Sequence, residues 1–246
     1  MKLAIYLHFS KLCNGEKKLN ILSDTLSDKG IISEIMDKFN PEVDLGDKKM
    51  VSMLYYLGYL TIYETTLGGK RLVIQNRVMR NIYADYFIDI INQETNLSGR
   101  EIDNSMLQEI ALEGKISKIT EKLHEYLNNL SNRDYQRFDE KYVKIIFYSL
   151  AMTMREDYYI KSEFEAHREY PDILIVPKAS DKGYHAIMVE FKYLKKNEKS
   201  LLKDKQKEAI EQIKKYAEYE EIKRIENLHK YAGVAVVDKM YVEEVF

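Results

Sequence analysis

Asp172, Glu190 and Lys192 are charged residues set in or beside runs of Ile, Leu, Val and Phe that read as buried strands, in the stretch "EYPDILIVPKASDKGYHAIMVEFKYLKK" from Glu169 to Lys196. An isolated charge costs several kcal/mol or more to desolvate, so each must be paired, bound to metal or neutralised. Residues two apart on a strand share a face, so Glu190 and Lys192 project together while Phe191 points the other way. If "DILIV" pairs with "IMVEF", Asp172 at the start of its strand lies beside Glu190. Two adjacent carboxylates raise each other's pKa unless a cation sits between them. Magnesium removes that penalty, taking one or two carboxylates together with waters and phosphate oxygens. A metal polarises a phosphodiester, and the adjacent lysine orients or activates a water or neutralises charge in the transition state. The trio therefore has the parts of a metal-dependent hydrolase. A plainer assignment uses the same residues: Asp172 caps a turn, and Glu190 and Lys192 form a half-exposed ion pair worth under about 1 kcal/mol.

The elements that must position these residues lie in the second half of the chain. "DYQRFDEKYVKIIFYSLAMTM" reads as a helix that becomes apolar nearly all round, fit to be buried against a sheet. "DYYIKSEF", "DILIVP" and "YHAIMVEFKYL" read as strands, the last two joined by the turn-like "KASDKG". A helix follows over about 200–220, with Ile210, Ile213 and Ala217 along its apolar stripe. "YAGVAVVDKM" then supplies a strand of the kind buried on both faces. The first half reads differently. "MVSMLYYLGYLTI" starts as a helix ending near Gly58, "YLTIYE" and "RLVIQN" flank a "TLGGK" turn, and "VMRNIYADYFIDII" from Val78 to Ile91 repeats apolar residues at helical spacing. This helix, hairpin and helix resemble a winged-helix-like lid. The polar helical stretch over 98–130, with Ile116, Ile119, Leu123 and Leu127 on one face, is read as joining the halves. The predicted division is 1–130 and 131–246.

With 246 residues, 45% hydrophobic and 32% charged, the chain can build one large domain or two small ones. The single cysteine, Cys13, excludes a disulfide framework and a multi-cysteine zinc site, and favours a reducing cytoplasm. The apolar run in "MKLAIYLHFS" is too short for a signal-peptide core, and no run approaches the roughly 20 apolar residues of a membrane span. The five histidines form no H-x-x-x-H or H-E-x-x-H pattern, and G-x-S-x-G is absent. Net charge is −2, but Lys192 to Lys207 holds seven lysines against Glu198 and Asp204. That local excess, directly after the charged motif, suits either a solvated helix start or a polyanionic partner.

"YPD" at Tyr170–Asp172 and "VEFK" at Val189–Lys192, within this order of elements, resemble the PD-(D/E)XK nuclease superfamily. The resemblance implies an α/β (α+β) fold with a restriction-endonuclease-like αβββαβ core, a mixed sheet flanked by helices. The run "KSEFEAHREYPDILIVPK…AIMVEFKYLKK…EAIEQIKKYAEY" is similar to the domain found after AAA-ATPase-like domains, and "YYLGYLTI…LVIQNRVMRNIYADYF" resembles the tail of such an ATPase-like domain. No G-x-x-x-x-G-K-[ST] loop accompanies it, and "GGKR" at Gly68 lacks the spacing and the hydroxyl, so no nucleotide cofactor is expected. The resemblance implies a Mg2+-dependent nuclease, with Mn2+ able to substitute, acting on nucleic acid, DNA in the first place, without membrane association and with a homodimer allowed. Asp172 and Glu190 are the implied metal ligands and Lys192 the implied assistant to the attacking water. Glu140 matches a glutamate on the first core helix, with a solvated helix-start carboxylate as its alternative. Glu163 matches a glutamate in the strand before the motif, with a strand-edge charge as its alternative. Gln212 and Tyr216, four apart on one helical face, resemble a Q-x-x-x-Y element, against simple packing of the tyrosine. Lys195, Lys196, Lys199, Lys203 and Tyr216 are the implied nucleic-acid contacts. The chain departs from the family at "HREYPD", where a Gly-Arg pair is usual and Arg168 is an imperfect replacement. A nuclease-derived module that binds nucleic acid or protein without cutting is the alternative function.

Overall fold

The computed structural model describes residues 21–22, 24–26, 30–37, 46–95, 104–129, 139–162 and 170–246. Glu163, Arg168 and Cys13 lie outside them. The chain divides into two compact units, Met1–Glu94 and Thr95–Phe246.

In the first unit the expected helix, hairpin and helix occur as α1 (Asp47–Tyr56), β2 (Leu60–Thr66), β3 (Gly69–Ile74) and α2 (Arg77–Thr95), preceded by a short strand β1 (Ile31–Ser33). The strands form an antiparallel sheet of order β1-β3-β2. Helix α1 stops where the sequence says it should. Gly58 takes φ +74°, and the N–H groups of Gly58 and Tyr59 donate to the carbonyls of Tyr55 and Leu54 at 2.9 and 2.8 Å. This Schellman arrangement satisfies the last carbonyls of the helix and turns the chain into β2.

The second unit is a mixed α/β structure around a five-stranded sheet. After α3 (Asn104–Glu113) and α4 (Ser117–Asn129) come α5 (Glu140–Ala151), β4 (Tyr158–Ser162), β5 (Ile173–Pro177) and β6 (Ala186–Leu194). Helices α6 (Leu202–Ala217) and α7 (Glu220–Lys223) and strands β7 (Leu228–Val236) and β8 (Lys239–Glu244) complete it. Strand order is β4-β5-β6-β7-β8. The first three strands form an antiparallel meander, β6 and β7 pair in parallel across the α6 connection, and β8 folds back antiparallel on β7. A parallel pair needs such a long crossover, whereas the antiparallel neighbours close through short connections. The αβββαβ order expected from the sequence is present, with β8 added at the far edge. Helices α3 and α4, the stretch read above as joining the halves, pack within this unit. The Ala111 carbonyl accepts from the His185 N–H at 3.2 Å, and the Gly114 carbonyl from the Tyr231 hydroxyl at 2.7 Å.

Sheet and helices are bound by two apolar layers. On the α6 side, Leu174, Met188, Ala209, Ile213, Tyr216, Ile222, Ala232 and Val245 form one cluster. On the α5 side the Phe147 and Phe191 rings stand 5.0 Å apart, both fully buried. Strand β6 is buried almost throughout, as a central strand covered on both faces should be. Its Phe191 lies opposite Gly233 of β7, where a Cβ would approach the Phe191 ring to 2.8 Å. The ring has no room to retreat, because Phe147 backs it. Gly233→Ala is therefore expected to cost about 1–3 kcal/mol of unfolding free energy through overpacking. In a Phe191→Leu background the same substitution should cost less, a coupling that urea denaturation of the two singles and the double reads directly.

Candidate active site

The β5–β6 ladder begins at the Ile173–Val189 pair, whereas the β6–β7 ladder continues to the Leu194–Val236 pair. Strand β6 thus runs on past the start of β5, and Asp172 sits at that step. Its N–H donates to Glu190 Oε2 at 3.3 Å, and its Oδ2 accepts from the Phe191 N–H at 2.7 Å. The two carboxylates are locked side by side through main-chain donors, one oxygen each. Lys192, two residues along β6, donates to Glu190 Oε1 at 2.9 Å.

Helix α5 closes the site from the other direction. Asp139 caps it, accepting from the Tyr142 N–H at 3.3 Å, which starts the helix at Glu140 and places a carboxylate at the positive end of its dipole. One turn on, Lys144 holds Glu140 Oε1 at 2.9 Å and Asp172 Oδ1 at 2.6 Å. Lys192 Nζ is 4.0 Å from the same Glu140 oxygen. The five side chains form a continuous charged cluster in which carboxylates and ammonium groups alternate. Asp172, Glu190, Lys192 and Lys144 are only 2%, 3%, 6% and 8% exposed, while the Glu140 side chain is 36% exposed.

The remaining expected site residues are on α6 and on the 3-10 turn before it. Tyr216 is buried in the apolar cluster beneath α6. Gln212, on the same helix, is half-buried and its Oε1 is shut away from solvent without a hydrogen-bond partner. Lys195, Lys196, Lys199 and Lys203 are all exposed, on the 3-10 turn Lys196–Leu201 and its flanks immediately after β6. Glu163 lies outside the described residues.

A family model described as the PD-(D/E)XK nuclease superfamily matches residues 138–244. These residues form a PD-(D/E)XK domain. No curated protein and no solved structure matches the chain.

The motif of the PD-(D/E)XK domain has a donor set that suits a hard divalent cation. It is made of oxygens only, with each carboxylate oriented by the backbone through one oxygen and presenting the other, Asp172 Oδ1 and Glu190 Oε1, to a positive charge. Among the described residues no three His, Cys, Asp or Glu side chains are gathered into a ready-made metal cage. Magnesium needs fewer, since water and phosphate oxygens complete its octahedron.

Electrostatics sets the protonation states of this motif. Burial pushes the Glu190 carboxyl above its ordinary value, and the charge and hydrogen bond of Lys192, the charge of Lys144 and the Asp172 N–H only partly offset that. Burial also works against the Lys192 ammonium, but Glu190, Glu140 and Asp172 outweigh it and hold Lys192 above the ordinary lysine value. Lys192 is therefore a permanent cation at neutral pH.

Lys144 is the member that the sequence reading missed. Its signal was a lysine inside "YVKIIFYSL", a helix read as apolar nearly all round, four residues after a glutamate. A buried lysine in such a helix demands an anion from another element. Removing that anion is predicted to be costly: Asp172→Ala should cost about 1–3 kcal/mol in urea denaturation, because the buried Lys144 ammonium loses its nearest counter-charge and keeps Glu140. Glu140→Ala, at the half-exposed end, should cost no more than about 1 kcal/mol.

A second prediction follows from Glu190. Its folded-state pKa lies above the ordinary value of 4.5, so its contribution to stability is complete below that pH and is lost as pH rises through the folded value. The stability of Glu190→Gln relative to the native chain should therefore climb as pH is raised from 4.5 and then level off. A relative stability that is flat or falls with pH contradicts the assignment.

Proposed function

We propose that the PD-(D/E)XK domain is a divalent-metal-dependent nuclease that hydrolyses phosphodiester bonds of DNA, with magnesium as the natural ion and manganese as a substitute. The observation that carries this reading is the Asp172–Glu190–Lys192 constellation at the step between β5 and β6, with both carboxylates fixed by main-chain hydrogen bonds. Asp172 and Glu190 would hold the cation, and a cation bound there supplies Lewis-acid polarisation of the phosphodiester. Lys192, held protonated, donates hydrogen bonds: it orients the attacking water or meets negative charge growing on the phosphoryl oxygens. It is not suited to removing a proton from that water. Glu140 holds Lys144 and stands 4.0 Å from Lys192, which makes it a positioning residue for both ammonium groups.

The exposed lysines 195, 196, 199 and 203 follow Lys192 in the chain, and we assign them to the phosphate backbone of the substrate. Phosphate contacts of this kind fix position without reading sequence. We place the functional domain at 131–246, inside the second compact unit and with α3 and α4 packed in that same unit, and read the part of 1–130 that forms the first unit as a lid-like, winged-helix-like region resembling the tail of an ATPase-like domain. Among the described residues no helix is long and apolar enough to cross a membrane.

Two measurements test the reading. Single- and double-stranded DNA incubated with Mn2+ should be cleaved by the native chain, and Lys192→Ala should lower the rate by at least about 100-fold. Salt-sensitive DNA binding without cleavage would transfer the assignment to a non-cutting binding module. In calorimetric titration the native chain should bind Mn2+, and Asp172→Asn should abolish the heat; a native chain that binds no metal removes the nuclease reading.

A further inference from the structure

The cluster contains one more cation than the proposed chemistry requires. Lys192 has a task at the reacting phosphate, whereas Lys144 reaches the same centre from α5 and has none. Its Nζ lies 2.6 Å from Asp172 Oδ1 and 2.9 Å from Glu140 Oε1, a positive charge seated between two carboxylate oxygens. The Asp172 oxygen it holds is the one left over after the Phe191 N–H has taken Oδ2. That leftover oxygen is also the one a metal would use.

We propose that the Lys144 ammonium is an internal counter-cation that competes with the divalent ion for Asp172, and so sets the metal affinity of the site. This rests on the reading of Asp172 and Glu190 as metal ligands. The geometry makes joint occupancy unfavourable. A magnesium ion binds carboxylate oxygen at about 2.1 Å, so an ion on Asp172 Oδ1 and an ammonium 2.6 Å from the same atom stand less than about 5 Å apart, both largely out of water. Like charges at that separation, with little solvent between them, repel strongly.

The structure also provides a place for the displaced ammonium. Glu140 is four residues earlier on the same helix, already bonded to Lys144 and partly open to solvent. Lysine carries its charge on a flexible four-carbon stem. A rotation of that stem breaks the bond to Asp172 while keeping Glu140, which moves the ammonium outward without moving α5. With metal absent, Lys144 keeps the buried carboxylate paired and the fold intact. With metal bound, Lys144 turns toward water.

Binding and labelling experiments test this on the full chain. Lys144→Gln keeps a hydrogen-bond donor but no charge, and with the like-charge repulsion removed its Mn2+ dissociation constant from calorimetry should fall by at least about tenfold relative to the native chain. Lys144→Arg keeps the charge and should bind no more tightly than the native chain. Native-chain lysine labelling provides a readout that does not depend on the variants folding: adding Mg2+ should raise acylation of Lys144, measured by mass spectrometry, several-fold. If Mn2+ binds the native chain and Asp172→Asn abolishes it, yet Lys144→Gln binds with equal or weaker affinity, the competition is overturned and the nuclease reading stands. Unchanged or reduced Lys144 labelling in Mg2+, with metal bound, overturns it equally. No metal binding in the native chain or in Lys144→Gln removes both readings together.

Discussion

The Asp172 carboxylate is the constraint on which the second unit's chemistry depends. It is almost wholly buried, and it is held from two directions: by the Phe191 N–H on β6 and by the Lys144 ammonium on α5. Charge-assisted hydrogen bonds of this sort are short and strong, and their loss leaves a bare buried charge. The peptide N–H that grips Asp172 lies between Glu190 and Lys192. The same stretch of main chain therefore carries Glu190 and Lys192 and grips Asp172, and the Lys192–Glu190 side-chain hydrogen bond completes the arrangement.

The sheet makes that arrangement possible. Because β6 continues past the first rung of its pairing with β5, the main-chain donor of Phe191 is left for a side chain to use. On the opposite edge, β6 stays paired with β7 along its whole length, so the step does not loosen the strand. Phe191, pointing away from the charges, is pressed between Phe147 and the bare backbone of Gly233. Apolar packing on the Phe191 face of the strand thus steadies Glu190 and Lys192, which project from the other. Helix α5 adds the third constraint, since its capped start places Glu140 and Lys144 one turn apart facing the same centre.

Much of this was legible in the sequence because alternation and apolar runs respond to burial. The central strands, α5 and α6 were found from their periodicity, and the nearness of Asp172 and Glu190 followed from pairing two apolar strands. Glu140 was placed by resemblance, and the structure brings it to the lysines. Strand β8 was not foreseen. Its turn consists of Val237 and Asp238, and Val237 adopts φ +57°, a left-handed conformation that a β-branched residue disfavours and no turn rule would nominate. The turn is held from outside, by the Leu194 carbonyl on the Val237 N–H and by His124 of α4 on the Asp238 carbonyl. Tertiary contacts of that kind leave no local pattern. Nor does a spacing rule reveal that α3 and α4 pack in the second unit, since the Ala111 and Gly114 carbonyls find their donors more than seventy residues away.

Of the five charged side chains, Glu140 alone has substantial contact with water. It is consequently the cluster's contact with solvent. A residue that looks like an ordinary helix-start carboxylate is in this way the point at which the buried charges meet water.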